Sequence, residues 1–200
     1  MRRLVIETSG AECSVALIED GEIVAERHKR VGRGHAERLI PWIAALPGGG
    51  RADEVLVGCG PGSFTGVRIA IAAARGLGLG WGVPVHGMSS LALVAAGYHA
   101  DDLTVAVEGG HGEIFVQDFA GQPLHEAGPL RSLTPEAAAG LYENRIVIGS
   151  GAERLVAARG FGEAVSGEGR AANACLLPDA LTSLAPRPVY GRGADARPMA

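Results

Sequence analysis

The residues best placed to do chemistry form one run, Gly60-Pro61-Gly62-Ser63-Phe64-Thr65-Gly66-Val67-Arg68. It follows an apolar stretch that reads as a buried strand, Glu54–Cys59, and opens a helix expected to run from Thr65 to about Gly80. Backbone amides and the helix dipole at such a junction can hold an anion. Gly62, Ser63, Thr65 and Ser9, the last in the first strand–turn, are therefore the candidate anion loop. The bland reading of the same hydroxyls is that Ser63 bonds amides within the turn and Thr65 caps the helix.

Other chemistry finds little footing. Ser63 sits on a strand–turn–helix, but residues 61 to 65 read Pro-Gly-Ser-Phe-Thr and miss the Gly-x-Ser-x-Gly elbow. The sequence contains no HExxH and no Gly-Lys-Ser/Thr of a Walker A loop. Its six histidines, at 28, 35, 86, 99, 111 and 125, include no pair one helical turn apart that could face a shared ion. No catalytic residue, metal site or cofactor is assigned. Cys13, Cys59 and Cys175 are an odd, widely spaced set and read as free thiols of a reduced compartment.

The elements that must position this loop follow from pattern. Leu4–Glu7, Cys13–Ile18 and Glu22–Arg27 read as three strands, the last two joined by Asp20-Gly21, a strong hairpin signal. Ala36, Leu39, Ile40 and Ile43 keep helical spacing up to about residue 46, with Pro41 expected to interrupt unless it falls in the first turn. Val83–His86 reads as a strand, and Ser89 caps a helix to about Gly97. The order then repeats. Leu103–Val107, Glu113–Phe119 and Pro123–Leu130 read as strands, and Thr134-Pro135-Glu136 opens a helix with its cap and an N1 proline. Arg145–Ile148 reads as a strand, Ala152–Arg159 and Ala172–Leu184 as helices, and the tail from Pro186 as extended. The chain is therefore an α/β protein with βββαβαβα twice, in lobes of residues 1–100 and 101–200.

The helix after the loop is apolar nearly all round, from Val67, Ile69 and Ala70 to Leu77 and Leu79, and rich in Ala and Gly. Such a helix is buried in a core or against a partner. The candidate partner interface comprises His35, Leu39 and Ile43 from the first helix, with Arg68, Ala70, Ala73, Ala74 and Leu77 from the second. The bland reading of His35 is a polar cap at a helix start.

Composition sets the outer limits. The chain has 200 residues, 47% hydrophobic and 20% charged, with mean hydropathy +0.18, which excludes intrinsic disorder. No 18-residue apolar run exists, and the apolar stretch after Met1-Arg2-Arg3 is too short for a signal peptide, so a cytoplasmic protein without a membrane span is expected. Net charge is −4, which supplies no global field for nucleic acid. Lys29 is the sole lysine beside 17 arginines.

The run Gly60-Pro61-Gly62-Ser63-Phe64-Thr65-Gly66-Val67-Arg68-Ile69-Ala70 resembles the TsaB (YeaZ) family of bacterial threonylcarbamoyladenosine biosynthesis proteins. Leu4-Val5-Ile6-Glu7-Thr8-Ser9 with Cys13-Ser14-Val15-Ala16-Leu17, and His35-Ala36-Glu37-Arg38-Leu39-Ile40-Pro41, resemble two more of its motifs. The resemblance is specific over about residues 4–95 and loose beyond. It implies an actin-like ASKHA (ribonuclease H-like) duplicated fold. It also implies a non-catalytic partner of a TsaD-like transferase, joined by a TsaE-like ATPase. The net charge of −4 leaves tRNA to be met only through the complex, and the cost of an exposed apolar patch predicts a homodimer when the chain is alone. ASKHA kinases carry Asp in the first strand–turn, where this chain has Glu7, and Glu108 occupies the corresponding turn of the second half. Glu108 is open between a structural turn and an ion contact. A stand-alone ASKHA-type kinase or ATPase binding Mg-ATP between the lobes is the alternative.

Overall fold

The computed structural model describes residues 1–32 and 34–191. The first lobe is a mixed sheet of β1 (Arg2–Glu7), β2 (Glu12–Glu19), β3 (Glu22–Arg30), β4 (Glu54–Gly58) and β5 (Val85–Met88), in the order β3-β2-β1-β4-β5. β1, β2 and β3 pair antiparallel, while β4 and β5 continue parallel to β1. Asp20 and Gly21 both take positive φ, 50° and 86°, so the Asp-Gly turn closes the β2–β3 hairpin as its residues dictate.

The second lobe repeats the plan. β6 (Asp102–Gly110), β7 (Glu113–Ala120), β10 (Ile146–Ile148) and β11 (Glu163–Val165) lie in the order β11-β10-β6-β7, with β8 (His125–Glu126) and β9 (Arg131–Leu133) both beside β7. Each lobe thus has an antiparallel meander at one side and two parallel strands at the other. The duplication expected from the order of elements is present in the sheet topology.

Three cores hold the layers. Alternating residues of the first sheet (Leu4, Ile6, Val15, Leu17, Val55, Val57) pack under α1 (His35–Ala44) and α2 (Phe64–Trp81). The opposite face (Val5, Ala16, Ile18, Leu56) joins Leu103, Val105, Phe119 and Ile148 of the second sheet around α3 (Ser90–Ala96), which is buried on every side. Ala106, Ile114, Val116 and Val147 lie under α4 (Pro135–Ala139) and α5 (Ala152–Arg159).

Several boundaries differ from the pattern. The helix after the glycine loop starts at Phe64, and its cap is Ser63, whose Oγ accepts the Gly66 N–H at 3.2 Å, rather than Thr65. α1 runs through Pro41 without a break, because Pro41 is exposed and water can take the carbonyl left without an N–H. The strand expected at Val83–His86 sits two residues later. The strand expected over Pro123–Leu130 shrinks to His125–Glu126, since Pro123 and Pro129 have no N–H for a ladder. The helix expected over Ala172–Leu184 is two short 3-10 turns, Ala171–Leu176 and Asp179–Leu181, separated by Pro178. Distant bonds fix the first turn: Ala171 N–H donates to Ser14 Oγ at 2.8 Å, and Asn173 Nδ2 donates to Leu93 O at 3.2 Å. The expected caps Ser89 and Thr134 accept from Ala92 and Ala137, respectively.

The chain then returns to the first lobe. Leu184 pairs with Gly87, and the Val189 N–H donates to Cys59 O at 2.8 Å. Only Pro186–Gly191 of the tail belong to the described residues.

Candidate functional site

Among the described residues, a cleft between the lobes and the outward face of α2 are open to a ligand or partner. The cleft has a volume of about 570 Å³, and Glu7, Ser9, Gly62, Ser63, Glu108 and His111 are among the residues lining it. Of the expected anion loop, Ser9, Gly62 and Ser63 come together there, whereas Thr65 is exposed on the first turn of α2 outside the cleft lining.

The loop's own bonds decide what it can hold. Ser63 N–H donates to Ser9 O at 2.6 Å, Gly66 N–H to Ser63 Oγ, Val67 N–H to Ser63 O at 2.9 Å, and Gly60 N–H to Ser90 Oγ at 3.1 Å. The loop thus uses the Gly60, Ser63 and Gly66 amides within the fold, while the Gly62, Phe64 and Thr65 amides take part in none of these bonds. Thr8 Oγ1 donates to Gly66 O at 2.7 Å, clamping α2 onto the end of β1. Glycine is required at 66, because a Cβ there would overlap the Thr8 carbonyl oxygen.

Glu7 lies at the cleft floor and is buried. Its carboxylate accepts from Ser90 Oγ at 2.7 Å and from Ser9 N–H. Burial pushes its pKa above the usual carboxylate range, and those hydrogen bonds pull it back only in part. Glu108, at the corresponding place in the second lobe, accepts from Arg154 Nη1 at 2.7 Å, and Arg154 also donates to Gly112 O at 2.6 Å. Its N–H donates to Ser150 Oγ at 3.0 Å. Glu108 thus ties its hairpin to α5. Glu12 and Glu168 add further carboxylates to the cleft against Arg30.

The expected interface residues divide by burial. Leu39, Ile43, Ala70 and Ala74 are buried in the core beneath the first sheet, so their side chains face inward. His35 is also buried, and its Nε2 donates to Glu12 O at 3.2 Å, tying α1 to β2. Ala73 and Leu77 are half-buried, and Arg68 is exposed.

The outward face of α2 carries other residues. Phe64, Arg68, Ala72, Gly76 and Leu79 follow helical spacing there, with Phe64 56% and Leu79 87% exposed. Among the described residues, a Cβ at Gly76 or Gly80 would meet nothing within 4 Å, so their packing does not require those glycines. At the N-terminal end, the Arg68 guanidinium lies 3.5 Å from the Phe64 ring centre and donates to the Tyr190 hydroxyl at 3.2 Å. Arg75 Nη2 donates to Pro186 O at 2.7 Å, so the returning segment is strapped along this face. Ile40 of α1 is exposed as well. Phe64 and Tyr190 are not among the residues that the sequence singles out for this interface, whereas Ala72 and Leu79 share by spacing the face of Arg68 and Arg75. The spacing that could have found Phe64 is the stripe opposite Val67, Ala70, Ile71, Ala74 and Gly78.

Two equivalent lobes, each an antiparallel meander continued by parallel strands, with a cleft between them, define an α/β protein of the actin-like ASKHA type. A family model described as TsaD, tRNA N6-adenosine threonylcarbamoyltransferase, matches residues 22–137. The tRNA threonylcarbamoyladenosine biosynthesis protein TsaB of Escherichia coli is 36% identical over 128 residues, 60% of this chain and 55% of that protein. The TsaB of Bacillus subtilis is 28% identical over 143 residues, 68% of this chain and 61% of that protein. The alignments thus span about half the length of the curated relatives. Among solved structures, YeaZ from Pseudomonas aeruginosa superimposes with a TM-score of 0.76 at 29% identity, covering 88% of this chain and 89% of YeaZ. The family model covers more than half of the chain, which therefore belongs to the family it describes, with TsaB and YeaZ proteins among the relatives it resembles.

Proposed function

We propose that this chain is a non-catalytic partner of a TsaD-like threonylcarbamoyltransferase in the modification of ANN-decoding tRNAs, in a complex that a TsaE-like ATPase joins. The names of its relatives support the pathway. The observation that carries the partner role is the outward face of α2. It exposes Phe64 and Leu79 over a strip of Ala72, Gly76 and Gly80 that lets another backbone approach closely. Exposed apolar surface of this kind is costly in a monomer. Phe64, Arg68 and Tyr190 supply the aromatic and arginine anchors that concentrate binding energy at protein interfaces. The occupant is the catalytic subunit, and two copies of this chain pair over the same face when that subunit is absent. The buried Glu7, held by the Ser90 hydroxyl and the Ser9 N–H, supports reading the cleft floor as architecture, and the assembly works in the cytoplasm.

The test is light scattering of the chain alone and mixed with the TsaD-like protein of the same cell. The wild type forms a heterodimer, whereas Ala72→Glu combined with Gly76→Arg melts at an unchanged temperature and stays apart from the partner. Both positions are exposed, so the variant reads the surface, while charging the buried Ala74 would only unfold the lobe. A persistent monomer that ignores the partner and binds Mg-ATP overturns the reading in favour of a stand-alone kinase or ATPase.

A further inference from the structure

The charge of this chain is unevenly distributed. Residues 27–38 hold five of its 18 lysines and arginines, Arg27, Lys29, Arg30, Arg33 and Arg38, against one carboxylate, Glu37. This is a local charge of +4 in a protein of net −4. Three of these cations lie on β3, the edge strand of the first sheet. Arg27, Lys29 and Arg30 are exposed, and among the described residues none has an ion-pair or hydrogen-bond partner for its side chain. Their neighbours on the strand are engaged: Glu26 accepts from Arg170 Nη2 and Nε, and His28 Nε2 lies 2.8 Å from Glu168 Oε2. Glu12, in register with Arg30, is the nearest acidic position across the hairpin.

The strand's alternation sets where the cations point. Ala25 packs into the core under α1 and α2, so Arg27 and Lys29 stand on the α1 side of the sheet. Arg30 stands on the opposite side and lines the mouth of the cleft. The three therefore straddle an edge along which no other described strand pairs, leaving outward backbone N–H groups beside them.

We propose that this edge is a contact surface for the sugar–phosphate backbone of an RNA. The inference deepens the pathway reading above, which supplies a tRNA as the polyanion, and adds a second partner beside the docking face of α2. Long unpaired cations with backbone N–H groups between them are what a phosphate backbone uses, since phosphate contacts come from Arg, Lys and main-chain N–H. An acidic protein would need an apolar anchor among the charges. The exposed apolar residues of β3, Ile23 and Val24, lie at the other end of the strand. A tRNA held by a catalytic subunit docked on α2 would have this edge within reach on the same side of the sheet.

The test is binding of a fluorescently labelled tRNA transcript by anisotropy, with the chain alone and with its catalytic partner, at 50 and 200 mM NaCl. Three phosphate contacts make the affinity of the chain alone fall about 20- to 40-fold between those salts, and Arg27→Ala with Lys29→Ala reduces that fall to about threefold. In the complex the same variant lowers the slope of log affinity against log salt by about 1.4 to 1.8. Light scattering run in parallel reads the partner contact, so failure of that contact and failure of the RNA surface are separate results. An unchanged salt slope overturns the proposal, as does a variant that aggregates while keeping RNA, which would make the charges mere protection of a free edge. A variant that loses the protein partner and keeps RNA assigns the edge to an acidic protein and overturns it too.

Discussion

Glu7→Gln tests whether the cleft floor is architecture or an ion site. The Glu7 carboxyl is buried, its oxygens face the Ser90 hydroxyl and the Ser9 N–H, and burial raises its pKa. The folded state then holds a proton that the unfolded chain has released, over the pH window from the ordinary carboxylate value of 4.5 up to the raised one. Stability is lost as pH rises through that window, by up to about 1.4 kcal/mol per pH unit. Glutamine keeps the shape, accepts the Ser9 N–H through its oxygen, and can donate to Ser90 Oγ, which already accepts the Gly60 N–H. Glu7→Gln therefore melts higher than the wild type at pH 8, and the gap closes toward pH 4.5. For a domain of this size 1 kcal/mol moves the midpoint by about 2–4 °C, so the two curves diverge by about 3–6 °C per pH unit within the window. Thermal melts followed by circular dichroism at pH 5, 6, 7 and 8 measure this. A variant that melts lower than the wild type at pH 8 refutes the reasoning, because it means the charged carboxylate is wanted there and a cation site belongs at the cleft floor.

Two further outcomes follow from the same packing. Gly66→Ala drives a methyl group into the Thr8 carbonyl and disturbs the Thr8–Gly66 clamp, so it destabilises by about 1–3 kcal/mol in denaturant melts, whereas Gly76→Ala, with open space at its Cβ, leaves stability level or slightly raised. Burial pushes the Cys13 thiol up to about 11, so under native conditions at pH 8 an aromatic disulfide reagent labels the half-exposed Cys175 first and reaches Cys13 only with unfolding.

What could be read in the sequence was local, and what could not was decided at a distance. Asp20-Gly21 specifies its hairpin within two residues, and Thr134-Pro135 starts its helix with the cap and fixed φ it carries. Ser63 and Thr65 are both hydroxyls at the head of α2, and in the fold it is Ser63 Oγ that accepts the Gly66 N–H and caps it, while Thr8, 58 positions from Gly66, clamps the same turn onto β1. The alanines of 171–174 favour a helix locally, but the Ser14 hydroxyl, 157 positions away, holds Ala171 and the turn stays 3-10. α2 is the instructive case. Being apolar nearly all round, it carries a weak periodic signal, and it is Arg68 and Arg75, on one face with Ala72 and Leu79, that mark the side turned away from the core residues Ala70 and Ala74.

The duplication sharpens the argument about function. Glu7 and Glu108 stand at equivalent strand ends, and in a working two-lobed enzyme such a pair would face a shared ligand. Here each is satisfied by its own lobe, Glu7 by serine and backbone donors beneath α3, and Glu108 by Arg154 of α5. At the head of α2, the Ser63 and Gly66 amides donate to Ser9 O and Ser63 Oγ. The apolar strip of α2 and the cations of the β3 edge, with Arg30 at the mouth of the cleft, stay exposed among the described residues, so a molecule bound on them gains contacts that the fold itself does not use.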